Sequence, residues 1–109
     1  MIQVVYYRDI NRLSIRGHAK SGEVGHDLVC AAASILSYTL AAYVNNLLAA
    51  GQVKYARTDL ADGTGVVSCD VPKRYKSTVT HAMDAICGGF ELLSHDYPDN
   101  ISYEIRHSI

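Results

Sequence analysis

Cysteine is scarce in this 109-residue chain, and the three present are odd in number and lack CxxC spacing. That pattern excludes a disulfide framework. An excess of either charge is also missing: ten Lys and Arg stand against eleven Asp and Glu, for a formal net charge of -1. No basic field therefore supports sequence-independent binding to nucleic acid, and no nucleic acid is expected to be required. The opening residues, Met1 to Arg8, lack the charged-then-apolar order of a signal peptide and alternate like a strand. Together with the free thiols, this leads us to expect a reducing cytoplasm. Low-complexity segments are absent too, so residues 1–109 are expected to form a single domain with one core.

One long apolar run exists, from Leu28 to Ala50, and by length alone it could span a membrane. Its content is largely alanine, with Ser34, Ser37, Thr39, Asn45 and Asn46 interspersed and Asp27 at its start. A buried soluble helix fits better, and no membrane is expected. Leu28, Val29, Ala32, Ile35, Leu36, Leu40, Tyr43, Val44 and Leu47 do not share one stripe. A second burial surface is therefore expected beyond the sheet, either the other helix or another subunit.

The remaining pattern predicts the order ββαββαβ. Ile2 to Arg8 and Leu13 to His18 read as a hairpin across a turn at Asp9-Ile10-Asn11. Lys20 to His26, with Gly22 and Gly25, reads as a loop. Asp27 is a good N-cap for a helix that Gly51 ends. Strands are predicted over Gln52 to Arg57 and Val67 to Val71, with turn chemistry from Asp59 to Gly65 centred on Asp62-Gly63. A second helix follows over Lys76 to His95, with Ala82, Ile86, Phe90 and Leu93 at helical spacing, and Gly88-Gly89 permits a bend or close packing. Ile101 to Arg106 is the last strand. Two helices on one mostly antiparallel or mixed sheet make a compact α+β domain.

Chemistry concentrates between Gly17 and Ser34. With Asp27 as cap, Cys30 falls at the third helical position, where unpaired amides and the helix dipole favour thiolate. His18 lies across a glycine-bearing loop that can bring an imidazole close, as a Cys/His dyad requires. Each feature has a plainer reading. Free cysteine is usually buried packing, and strict alternation puts His18 with Ser14 and Arg16, away from Leu13 and Ile15, unless a bulge re-aims it. Asp27 is a cap first and an orienting group for His18 second. Ser34 stands one turn after Cys30, equally suited to close packing or to a polar contact. A zinc site from His18, His26 and Cys30 has no evident fourth ligand. Cys69 and Cys87 read as core residues, and Lys73-Arg74-Tyr75-Lys76 as a solvated run.

The residues Gly17-His18-Ala19, the loop with Gly22, Gly25 and Asp27, and Val29-Cys30-Ala31-Ala32 followed by Ser34 resemble the ribosomal-processing cysteine protease family, Prp. The resemblance implies a homodimeric, cofactor-free, metal-free cysteine endopeptidase. Its substrate would be large-subunit ribosomal protein twenty-seven, from which the family removes an N-terminal extension ending in apolar and aromatic residues. It also implies Cys30 as nucleophile, His18 as base, Asp27 and Ser34 in support, and Gly22 and Gly25 in a segment that moves over substrate. An apolar cleft would suit such a substrate, with Tyr6, Tyr7, Tyr38 and Tyr43 as candidates to line it. The rival readings are a non-enzymatic ribosome-associated binding domain, in which Cys30 merely packs, and a metal-dependent hydrolase.

Overall fold

Alternation of apolar and polar residues in five short segments and two long helical stripes produces a two-layer α+β fold. The computed structural model describes residues 1–17, 26–61 and 63–108, with His26 and Asp27 described by backbone alone. The strands are β1 (Ile2–Tyr7), β2 (Arg12–Arg16), β3 (Tyr55–Ala61), β4 (Thr64–Asp70) and β5 (Ile101–Arg106). The helices are α1 (His26–Ala49) and α2 (Lys76–Asp96). The expected order ββαββαβ holds, on a mixed five-stranded sheet ordered β3-β4-β2-β1-β5. Only the β1·β5 pairing is parallel; the other three are antiparallel. That follows from chain path, because α2 carries the chain across the sheet and returns it alongside β1.

Both helices cover one face of the sheet. Val4, Tyr6, Leu13, Val67 and Cys69 alternate inward and meet Val29, Leu40 and Val44 of α1 and Val79, Met83 and Phe90 of α2. Phe90 stacks on Tyr103 with ring centroids 6.4 Å apart, tying α2 to β5. The helical period in α2 is as expected, but its buried stripe runs through Val79, Met83, Cys87 and Phe90, one residue round from Ala82 and Ile86. By length and composition α1 could cross a membrane. Here Val29, Ala33, Leu40, Val44 and Leu47 bury its inner side in the domain core.

Asn11 locks the β1–β2 corner. It adopts a left-handed φ of 53°, which asparagine tolerates well, and it is wholly buried. Its Nδ2 donates to Thr80 Oγ1 at 3.0 Å, its carbonyl accepts from the Cys69 amide at 3.3 Å, and Lys76 Nζ donates to its Oδ1. Nearby, Arg8 makes a two-pronged ion pair with Asp84, and the Tyr6 hydroxyl donates to the same carboxylate at 2.9 Å. Burial pushes the Asp84 carboxyl upward, but these two donors outweigh it and hold the group below its ordinary value.

Two strand boundaries differ from the sequence reading. Gln52 to Lys54 precede β3 rather than belonging to it, and Asp59 to Ala61, read as turn, are strand. The reason is pairing: β3 follows β4 to the register Ala61↔Thr64, and Gly63 takes φ +79° just before β4. Likewise β4 begins at Thr64 and ends at Asp70, earlier than Val67 to Val71.

The helix–helix contact explains one of the paired glycines. A Cβ on Gly89 would come within 2.6 Å of Leu36 on α1, whereas one on Gly88 would meet nothing within 4 Å. Gly88→Ala should therefore stabilise the protein by up to about 1 kcal/mol through helix propensity. Gly89→Ala should lose that gain to an overpacking cost of about 1–3 kcal/mol. Urea unfolding of the two variants should show opposite or clearly unequal shifts in midpoint.

Candidate active site

The site lies where β2 ends and α1 begins. Strand β2 stops at Arg16 rather than continuing to residue 18, because Gly17 takes φ +106°, a region closed to residues with side chains. A Cβ there would also collide with the backbone carbonyl of Met1. The Gly17 amide donates to the Gly63 carbonyl at 3.0 Å, so this turn is pinned to the β3–β4 hairpin. Positive φ at Gly17 ends the regular strand there. His18, Gly22 and Gly25 lie outside the described residues.

On the helical side, α1 already includes His26 and Asp27. Asp27 is therefore a first-turn residue and not the N-cap, and Cys30 falls in the fifth helical position instead of the third. The difference matters, since a residue at that depth spends its amide within the helix, and the unpaired donors are those of the four residues before it. The Asp27 side chain, like that of His26, is outside the description, so its catalytic role and the zinc reading of His18, His26 and Cys30 rest on undescribed groups.

Cys30 itself is half-buried against the core cluster, whereas Cys69 and Cys87 are fully buried. Burial pushes the Cys69 thiol up to about 11 and the Cys87 thiol up to about 12. A Tyr103 hydrogen bond partly opposes the shift at Cys87. Both behave as the packing residues the sequence suggests. Ser34 is exposed, so it does not serve to seat the helix closely on the sheet; that place belongs to Ser37, which is buried and bonds the Ala33 carbonyl at 2.8 Å.

A groove joins these two neighbourhoods. Gly17, the residue before His18, and Ser34, one turn beyond Cys30, line the same depression, together with Ile2, Ile15, Tyr38 and Leu60. Its walls are chiefly apolar, and it runs between α1 and the β3–β4 hairpin. Of the four candidate tyrosines only Tyr38 reaches it. Tyr6 is buried beneath α2 on Asp84, Tyr7 stands on the helix-free face of the sheet, and Tyr43 packs against the core. Ile2 and Leu60 were not singled out by sequence. Only the sheet register, which sets the start of β1 beside β2 and Leu60 opposite Gly65, the β4 partner of Ile15, could have found them.

Comparison with known proteins then decides the family. The model of the cysteine protease Prp family matches residues 1–102. The chain belongs to that family. Among solved structures, the Streptococcus mutans protein SMU.848 is 30% identical, with a TM-score of 0.68 over 99% of this chain and 96% of that one. The S. aureus essential ribosomal processing protease Prp, in complex with a substrate peptide, is 20% identical with a TM-score of 0.71 over 97% and 100%. The same S. aureus protease with a covalently linked product peptide is 19% identical with a TM-score of 0.65 over 96% and 97%. These two likenesses establish the shared fold. No curated protein matches the chain at a significant level.

Unequal thiol environments are measurable. At pH 8 an alkylating reagent should modify Cys30 in the native protein while Cys69 and Cys87 react only after denaturation, as mass spectrometry of digested samples would show. Raising the pH to 9.5 should not open the two buried thiols, because their ionisation is displaced to about 11 and about 12. Equal labelling of all three in the native state would contradict the packing described.

Proposed function

We propose that this Prp-family protein is a cysteine endopeptidase that removes the N-terminal extension of large-subunit ribosomal protein twenty-seven during ribosome maturation, acting as a cytoplasmic homodimer. One observation carries the reading: Gly17, the neighbour of His18, and Ser34, one helical turn after Cys30, line a single chiefly apolar groove.

In this reaction His18 takes the Cys30 proton, and the thiolate attacks the scissile carbonyl. The resulting oxyanion is received by amides left unpaired in the first turn of α1, worth about 3–4 kcal/mol when preorganised. The imidazolium protonates the leaving amine, and water then releases the acyl-enzyme. Ser34 and Tyr38 contact the peptide beside the nucleophile, while Ile2, Ile15 and Leu60 take its apolar and aromatic side chains. Gly22 and Gly25 let the intervening loop close over the substrate, and Asp27 supports His18. Neither a metal nor an organic cofactor enters these steps.

The outer side of α1 supports the dimer. Leu28, Ile35, Tyr38 and Leu48 are exposed there, more apolar surface than an isolated subunit usually leaves on one helix. In α1 the sequence predicted two burial surfaces, and α2 accounts for only part of the second.

Incubation with the N-terminally extended ribosomal protein should yield the trimmed form. Cys30→Ala should abolish cleavage, and His18→Ala should lower it by about 10²–10⁴-fold. A folded Cys30→Ala protein that still trims the substrate would remove the protease reading and favour a ribosome-associated binding domain. Loss of activity in chelator with Cys30→Ala unaffected would instead favour metal-dependent hydrolysis. In sedimentation equilibrium the protein should run as a dimer, and Ile35→Glu should shift it to monomer.

A further inference from the structure

The face of the sheet that no helix covers is organised by charge in a way the net charge conceals. Following the register across all five strands, one row reads Arg57, Ser68, Arg12, Tyr7, Arg106. The next reads Asp59, Val66, Ser14, Val5, Glu104, and the third Ala61, Thr64, Arg16, Gln3, Ser102. Neighbouring strands lie about 4.8 Å apart, so the three arginines of the first row recur at about 9.6 Å intervals. Arg16 stands about 13 Å further along β2 from Arg12.

These arginines are not equally engaged. Arg57 is paired with Asp59 at 2.6 Å and Arg106 with Glu104 at 2.5 Å, both within a strand and both exposed. Such pairs contribute little and yield readily to a stronger anion. On the central strand no carboxylate among the described residues pairs with Arg12 or Arg16. Arg12 Nε is in addition enclosed without any acceptor, an uncompensated donor of the kind that folded proteins rarely leave. Arg12 lines a depression on this face with Tyr7, Ser14 and Arg16, and a second at the end of the sheet with Asp9, Ser68, Asp70 and Lys76.

We propose that this helix-free sheet face binds single-stranded RNA, apart from the peptide groove. Evenly spaced guanidinium groups meet phosphates, and Tyr7 between Arg12 and Arg106 provides a flat surface for a base. Ser14, Ser68, Gln3 and Ser102 supply hydroxyl and amide groups suited to ribose 2′-hydroxyls. An acidic peptide would use the arginines but leave the aromatic ring and the hydroxyl-lined centre idle. The overall charge of -1 rules out a broad electrostatic funnel, so binding is local and salt-sensitive.

The test is fluorescence polarisation of the full chain with a labelled, unstructured 12-nucleotide RNA at 50 mM salt. Saturable binding is expected, at least tenfold weaker in the combined variant Arg12→Gln, Arg57→Gln, Arg106→Gln. That variant should also flatten the log Kd against log salt plot by about 2, given about 0.7 per phosphate on single strands. Peptide cleavage by the same variant should be unchanged, since none of the three lines the groove. Tyr7→Leu should weaken binding several-fold, and the surface change Asp59→Asn with Glu104→Gln should tighten it. Absence of saturable binding, an unaltered salt slope in the triple variant, or no tightening on removal of the two acids would each overturn the proposal. Equal competition by polyglutamate would do so as well, pointing to an acidic protein partner. Because Asp59 and Glu104 are exposed and their neutral forms are isosteric, their variant decides the matter even if the triple variant fails to fold.

Discussion

The missing side chain at Gly17 is the constraint on which the site depends. Its positive φ marks the exit of the chain from β2, and a Cβ there would collide with the Met1 carbonyl. The hydrogen bond to Gly63 fixes that exit against the β3–β4 hairpin. Any Cβ at this point would displace Met1 and Ile2 at the start of β1, and Ile2 is part of the groove wall. Among the described residues, the site is thus built by close backbone approach.

Helix α1 then serves two surfaces at once. Its inner residues, Val29, Leu40 and Val44 among them, fill the core, and this holds Cys30 and Ser34 at a set depth beside the groove. Its outer residues stay apolar and exposed, an arrangement that an isolated soluble helix would avoid. The half-buried position of the Cys30 thiol, against the full burial of the other two, is the local outcome of that division.

The sheet shows the same economy on its two faces. Alternation sends Val4, Tyr6, Leu13, Val67 and Cys69 inward and leaves arginine, serine and acid outside. Because the outward residues come from strands far apart in sequence, their alignment into an arginine row arises only when the register is set. Composition registers a near-neutral chain. Pairing sorts that chain into basic and acidic rows.

Much of the architecture was legible in the residues themselves. Valine-rich alternation marked β1, the alanine-rich run marked α1, and Asp62-Gly63 marked a turn, because these signals act over a few neighbours. The motif from Gly17 to Ser34 was equally local, and it pointed to the family that the comparison established. The extent of β3 was not legible, since Asp59 to Ala61 look like turn residues until β4 supplies their pairing partners. Asp27 likewise reads as a cap until the helix extends past it. Local sequence determined which elements form and which family the chain belongs to. Tertiary structure alone decided which strand ends meet, which face of α1 stays open and which tyrosine reaches the groove, because those are set by long-range pairing and packing that no short window of sequence contains.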